Sequence, residues 1–134
     1  MTIETTRSMA LNTIGQVSVP VENLSRAVAF YRDQLGLPFL FEVPGMAFFD
    51  CHPTRLMLSL PEAQGEPAGS SILYFLTDDI QAAAHELADR GVEFLQPPHL
   101  VAKMTDHDLW MAFFVDSEAN TMALMAEARP PAPD

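Results

Sequence analysis

The sequence predicts an α+β domain of two βαβββ modules whose strands form a curved mixed sheet around a pocket. Three observations predict it. The chain divides into halves with one order of patterns: an alternating strand, an amphipathic helix ended by glycine, then short strands. Gln16 stands eight residues before Leu24 and Ile72 eight before Ile80, so strand and helix keep one spacing in both halves. The word MAFF occurs at residues 46–49 and again at 111–114, each time ahead of a turn and an apolar strand, RLMLSL and TMALMA. A unit of one helix and about four strands is too small to bury its sheet alone. Pairing two units hides both sheets, and curving them leaves a cleft.

The elements follow in order. IGQVSVPV alternates Ile14, Gln16 and Ser18 against Val17, Val19 and Val21, the pattern of a half-buried strand. ENLSRAVAFYRDQLG is helical, with Asn23 or Ser25 as cap and an apolar stripe of Leu24, Val28, Tyr31 and Leu35. Gly36 is placed to end it in a left-handed conformation. Short strands are expected at Phe39–Val43, Met46–Asp50 and Arg55–Leu60, separated by turns at Pro44-Gly45 and His52-Pro53. The second half gives a strand at SILYFLT and a helix at DDIQAAAHELADRG, capped by Asp78 or Asp79 and stopped by Gly91. Strands then follow at VEFLQ, Leu100–Met104, Leu109–Val115 and Thr121–Ala126. The domain is expected over 12–127, as module one (12–60) and module two (70–127), joined by a linker-like loop at 61–70. Residues 1–11 read as an N-terminal arm and the proline-rich 128–134 as a flexible tail.

Composition excludes several classes. Of 134 residues, 49% are hydrophobic, which supports a packed core and not a disordered chain. The apolar runs fall far short of the ~20 residues needed to span a bilayer. Eighteen acidic against seven basic residues leave a net charge of −11, which disfavours nucleic acid as a partner. It suits solubility and permits a cationic partner. The single cysteine, Cys51, rules out an internal disulfide. The N-terminus lacks a basic stretch followed by an apolar core, so a cytoplasmic location away from membranes is expected.

The stretches QVSVPVENLSRAVAFYRDQLGL and LWMAFFVDSEANTMALM resemble the vicinal oxygen chelate superfamily, which includes glyoxalase I, bleomycin resistance proteins, fosfomycin resistance enzymes and extradiol dioxygenases. The turn DSEAN, residues 116–120, is similar to the family's Asp-Pro-Asp-Gly-Asn turn. The resemblance implies the glyoxalase/bleomycin resistance-like fold, with up to four inward side chains holding a metal. It matches those positions to Gln16, Met57, Ile72 and Ala123. A divalent cation with open catalytic positions needs about three oxygen or nitrogen side chains. Here only Gln16 offers one, so no metal and no other cofactor is expected, and glyoxalase or dioxygenase chemistry is not carried over.

What remains is a pocket. Gln16 can donate to and accept from an organic ligand, and Met57, Ile72, Tyr74, Trp110, Ala123 and Met125 give an apolar lining. Eight methionines suit an adaptable cavity. The expected function is metal-independent binding of a small organic molecule, mostly apolar or a cationic aromatic. Sequestration is one version, since bleomycin resistance proteins trap a cationic drug as acidic homodimers. A homodimer is expected here too. The alternative is a glyoxalase-like lyase, isomerase or dioxygenase with a rebuilt metal or acid–base site, for which KMTDHDLW offers Asp106, His107 and Asp108, with Tyr74. No catalytic residue is assigned. Cys51 beside His52 reads as a packed thiol, because neighbours in sequence rarely align for thiolate activation.

Overall fold

Asn23 and Asp79 decide where the two helices begin. The Asn23 side chain accepts from the Arg26 amide at 3.0 Å and the Asp79 side chain from the Ala82 amide at 3.1 Å, each satisfying a free first-turn donor. The structure, a computed structural model, describes residues 13–61 and 71–130. The predicted arm at 1–11, nearly all of the loop at 61–70 and residues 131–134 of the tail lie outside them.

Module one runs β1 (Gln16–Pro20), α1 (Leu24–Ala29), β2 (Phe39–Val43), β3 (Met46–Cys51) and β4 (Thr54–Ser59). Module two runs β5 (Leu73–Leu76), α2 (Ile80–Asp89), β6 (Glu93–Lys103), β7 (Asp108–Val115) and β8 (Thr121–Ala128). Each module is a four-stranded sheet, ordered β1-β4-β3-β2 and β5-β8-β7-β6. In each, the first strand pairs in parallel with the last and the rest is antiparallel. These are the two βαβββ units of the glyoxalase-like fold. The repeated word falls at equivalent places, in β3 and β7. Ala47, Phe49, Ala112 and Phe114 are all fully buried.

Beyond Ala29 the helix widens into a π turn over Phe30–Gln34, where the Leu35 amide reaches the Phe30 carbonyl at 3.0 Å. Gly36 (φ 79°) then takes the left-handed conformation that stops it, and Gly91 (φ 91°) does the same after α2. VEFLQ and Leu100–Met104, expected as two strands, are one strand of eleven residues, β6. It accommodates Pro97 and Pro98 because it is an edge strand with register shifts, where a missing donor breaks few ladder bonds.

Alternation splits each sheet into two faces. Val17, Val19, Ala47, Phe49, Leu56 and Leu58 of module one face α1. Ala112, Phe114, Met122, Leu124 and Ala126 of module two face α2. Both sets belong to one hydrophobic core. The opposite, helix-free faces carry the in-between residues.

The β7–β8 turn ties the modules together. Asp116, 5% exposed, accepts from Tyr31 Oη (2.7 Å), the amides of Glu118 and Asn120 (2.8 Å each) and Asn120 Nδ2 (2.9 Å). Asn120 also donates to the Pro20 carbonyl at 2.9 Å. Glu118 accepts from the Glu22 and Asn23 amides (2.9 and 3.0 Å) and pairs with Arg26 at 2.7 Å. A second link joins Gln34 and Arg90, whose side chains each donate to the other's carbonyl. Ala119 in this turn has φ 68°, a left-handed conformation strained for any residue with a Cβ. Ala119→Gly is therefore expected to stabilise the protein by about 0.5–1 kcal/mol, since relief of strain exceeds glycine's added unfolded-state entropy. Urea unfolding checks it; an unchanged or lower midpoint would contradict the strain.

Candidate functional site

The sheet register builds the helix-free face of module one. Ser18, Met57, Phe48 and Phe41 form one row across β1, β4, β3 and β2. Gln16, Arg55 and Asp50 form the next. Phe41 and Phe48 stack at 4.5 Å with planes 23° apart. Arg55 leans diagonally over Phe48, its guanidinium carbon 5.5 Å from the ring centre. The Arg55 Nε donates to Gln16 Oε1 at 3.0 Å, and Gln16 Nε2 lies 3.8 Å from Met57 Sδ. Since arginine only donates, the amide oxygen of Gln16 must face it.

Module two repeats the row with different chemistry: Tyr74, Ala123, Phe113 and Gln96 lie side by side on β5, β8, β7 and β6. Tyr74 meets Phe113 edge to face at 6.1 Å, and His99 stacks on the same ring at 6.4 Å. Both modules thus set a phenylalanine opposite a position where the resemblance expects a metal ligand: Phe48 against Met57, and Phe113 against Ala123. A hollow of about 260 Å³ lies where the modules meet, lined by Val17, Cys51, Thr54 and Leu56 of module one and by the whole of β5. A smaller one, about 90 Å³, is lined by β1 with Ser71, Leu73, Asn120 and Met122.

The predicted site residues divide by place. Gln16 and Met57 come together in module one. Tyr74 and Met125 share the helix-free face of module two, and Ile72 precedes β5 in the phase of Tyr74. Ala123 is 0% exposed between Tyr74 and Phe113, so it gives the rings room and offers a ligand no surface. Trp110, expected in the pocket, lies on the other face. It packs on the core beside α2, in phase with Ala112 and opposite Ala126. The residue that sequence reasoning passed over is Arg55. It stands two positions before Met57, and that alternation already places it on the Gln16 face.

A divalent cation does not fit these residues. The positions that the resemblance matches to metal ligands are Gln16, Met57, Ile72 and Ala123, and the oxygen of Gln16 accepts from a guanidinium, whose charge would repel a metal. Among the described residues, no group of three or more His, Cys, Asp or Glu is placed to hold a metal ion.

The acid–base candidates sit elsewhere, at the β6–β7 hairpin. His107, its side chain 14% exposed, contacts Asp106 at 2.8 Å and Glu127 at 3.9 Å. Arg129 pairs with both acids, at 2.7 and 3.0 Å. His107 and then Arg129 hold the Asp106 carboxyl below its ordinary range. Asp108 pairs with Lys103 at 3.5 Å, and it lines with Asp106 and His107 one open hollow of about 360 Å³ at this hairpin. Tyr74 is level with Ala123, four residues along β8 from Glu127, or roughly 13 Å at strand rise. The structure does not bring Tyr74 and His107 together. Burial, then the Asp50 charge, pushes the Cys51 thiol up, the opposite of an activated thiolate.

Residues 13–106 match the family described as the Glyoxalase/Bleomycin resistance protein/Dioxygenase superfamily. The chain belongs to that superfamily. It is 26% identical over 126 residues to the Bacillus subtilis (strain 168) "Uncharacterized protein YraH", covering 81% of this chain and 94% of that one. Among solved structures, a superfamily member from Sphaerobacter thermophilus DSM 20745 superposes with a TM-score of 0.73 at 24% identity, covering 87% of this chain and 98% of that chain. TnmS3, an antibiotic binding protein from Streptomyces sp. CB03234, gives 0.69 at 26% identity, covering 90% and 99%. Lactoylglutathione lyase from Agrobacterium tumefaciens gives 0.71 at 20% identity, covering 87% and 95%.

Proposed function

We infer that the protein binds a small, mostly apolar organic molecule on its helix-free face, without a metal. One observation carries this reading: the positions that would ligate a metal instead present Gln16 engaged by Arg55, the thioether of Met57, and the apolar Ile72 and Ala123. Phe41, Phe48, Tyr74 and Phe113 give the same face aromatic surface, and a few polar groups among such a lining are what ligand sites carry. The likeness to an antibiotic binding protein supports binding, with sequestration as one form of it. A homodimer is part of this reading. Phe39, Leu40 and Val43 on edge strand β2, and Leu95, Leu100 and Val101 on edge strand β6, are exposed apolar side chains that a second copy would cover. A cytoplasmic location belongs to the same reading, and the single cysteine is compatible with it. Among the described residues no helix is long and apolar enough to cross a membrane.

Metal content tests the reading. Untagged protein purified without chelator is assayed by plasma mass spectrometry, then titrated with zinc, nickel, manganese and iron(II). The expected result is no stoichiometric metal and no binding at micromolar levels. About one tightly held metal per chain would overturn it.

A further inference from the structure

Among the described basic residues, Arg26, Arg32, Arg90, Lys103 and Arg129 each meet a carboxylate. Arg55 meets none. In a chain of net charge −11, an arginine without an acid is the exception. Its place is also defined. Nε is held by Gln16 Oε1, and the guanidinium lies over Phe48. Those contacts use one N–H and one face of the fork. The two terminal Nη groups keep their donors, and such a pair matches the two oxygens of a carboxylate. Beside it, Phe41 is 44% exposed and continues the aromatic surface, and Met57 lies opposite Phe48. A flat apolar body has a place to lie while its acid reaches the fork.

We propose that this face recognises an organic monoanion, an ionised carboxylic acid on an aromatic or apolar body, with Arg55 as its anchor and Gln16 as the residue that positions Arg55. The proposal rests on the binding function inferred above and narrows its ligand away from cationic compounds. Asp50 opposes the anion. It faces the same side directly across from Arg55, yet no ion pair joins them, and its charge repels an incoming acid. Asp50→Asn is therefore expected to tighten acid binding.

The test uses three probes of one shape: naphthalene carboxylate, its neutral carboxamide, and naphthylmethylammonium. Each is titrated into the full chain by calorimetry, and the contact surface is mapped by amide NMR. The carboxylate is expected to bind about ten-fold or more tighter than the carboxamide, with shifts on β1, β3 and β4. Arg55→Gln is expected to remove that preference while leaving carboxamide binding in place. Arg55→Lys keeps part of it, because charge without the fork makes a weaker pair. Gln16→Leu is expected to weaken the carboxylate selectively and to shift the Arg55 Nε–H resonance, which a merely structural loss would not do. Equal binding of acid and amide, a preference for the ammonium, or a preference that survives Arg55→Gln would overturn the anion assignment and leave the binding function standing. No binding of any probe at millimolar concentration, or shifts confined to the helices, would overturn both.

Discussion

Asp116→Ala is expected to destabilise the protein by about 4 kcal/mol or more, the largest single effect in this chain outside its apolar core. The carboxylate is buried and receives four hydrogen bonds, from Tyr31, from the Glu118 and Asn120 amides, and from the Asn120 side chain. Alanine leaves these donors facing a small void. Each buried donor left without a partner costs about 1–3 kcal/mol. Against a typical total of about 5–15 kcal/mol, that loss can prevent folding. Milder variants keep the test readable. Tyr31→Phe removes one donor and should cost about 1–1.5 kcal/mol. Asp116→Asn keeps an acceptor but turns an NH2 toward other donors, and should fall between the two. Urea unfolding of all three gives the order, and a double-mutant cycle of Tyr31→Phe with Asp116→Asn measures the coupling. A cost below about 1 kcal/mol for Asp116→Ala would mean that the turn does not hold the modules together.

The sequence exposed the modules but not this joint. Strand alternation, Gly36 and Gly91 are local signals that appear in the structure as read, and of the two caps offered for α1, Asn23 and Ser25, the structure uses Asn23. Tyr31 read as part of an apolar helix stripe, and it is fully buried as that stripe requires. Nothing local says that its hydroxyl finds Asp116, 85 positions away. The same limit applies to Gln16. Its strand face followed from alternation, but its hydrogen-bond partner depended on which residue β4 sets beside it, and that register is a tertiary fact. Trp110 and Arg55 are different. Trp110 shares the phase of Ala112 and Phe114, and Arg55 the phase of Met57, so a strict period of two assigns both to their observed faces. An aromatic ring invites a pocket reading and a charge invites a solvent reading. Periodicity is the better guide to both.

Glu118→Gln is expected to lower stability at pH 7 by on the order of 2 kcal/mol and to flatten the acid limb of the stability curve. The Glu118 side chain is 1% exposed. Arg26 first, then the Asn23 amide, Ser117 and the Glu22 amide, hold its carboxyl down to about 2 from an ordinary 4.5, against the opposing push of burial. The folded state therefore binds this proton more weakly than the unfolded chain does. The stabilisation is fully present above pH 4.5 and is lost as pH falls toward 2, as the paired carboxylate is protonated. Arg26 is about half exposed, so solvent screens the pair and the full shift should not appear as stability. Glutamine keeps an oxygen for the two backbone amides and loses the charge, which separates the ion pair from the cap. Thermal unfolding of both proteins from pH 7 to pH 2 reads the difference. The two curves should stand apart at neutrality and converge in acid. Curves that stay parallel would assign the cost of Glu118→Gln to packing, and the charge at this joint would carry no part of the stability that holds the two modules in register.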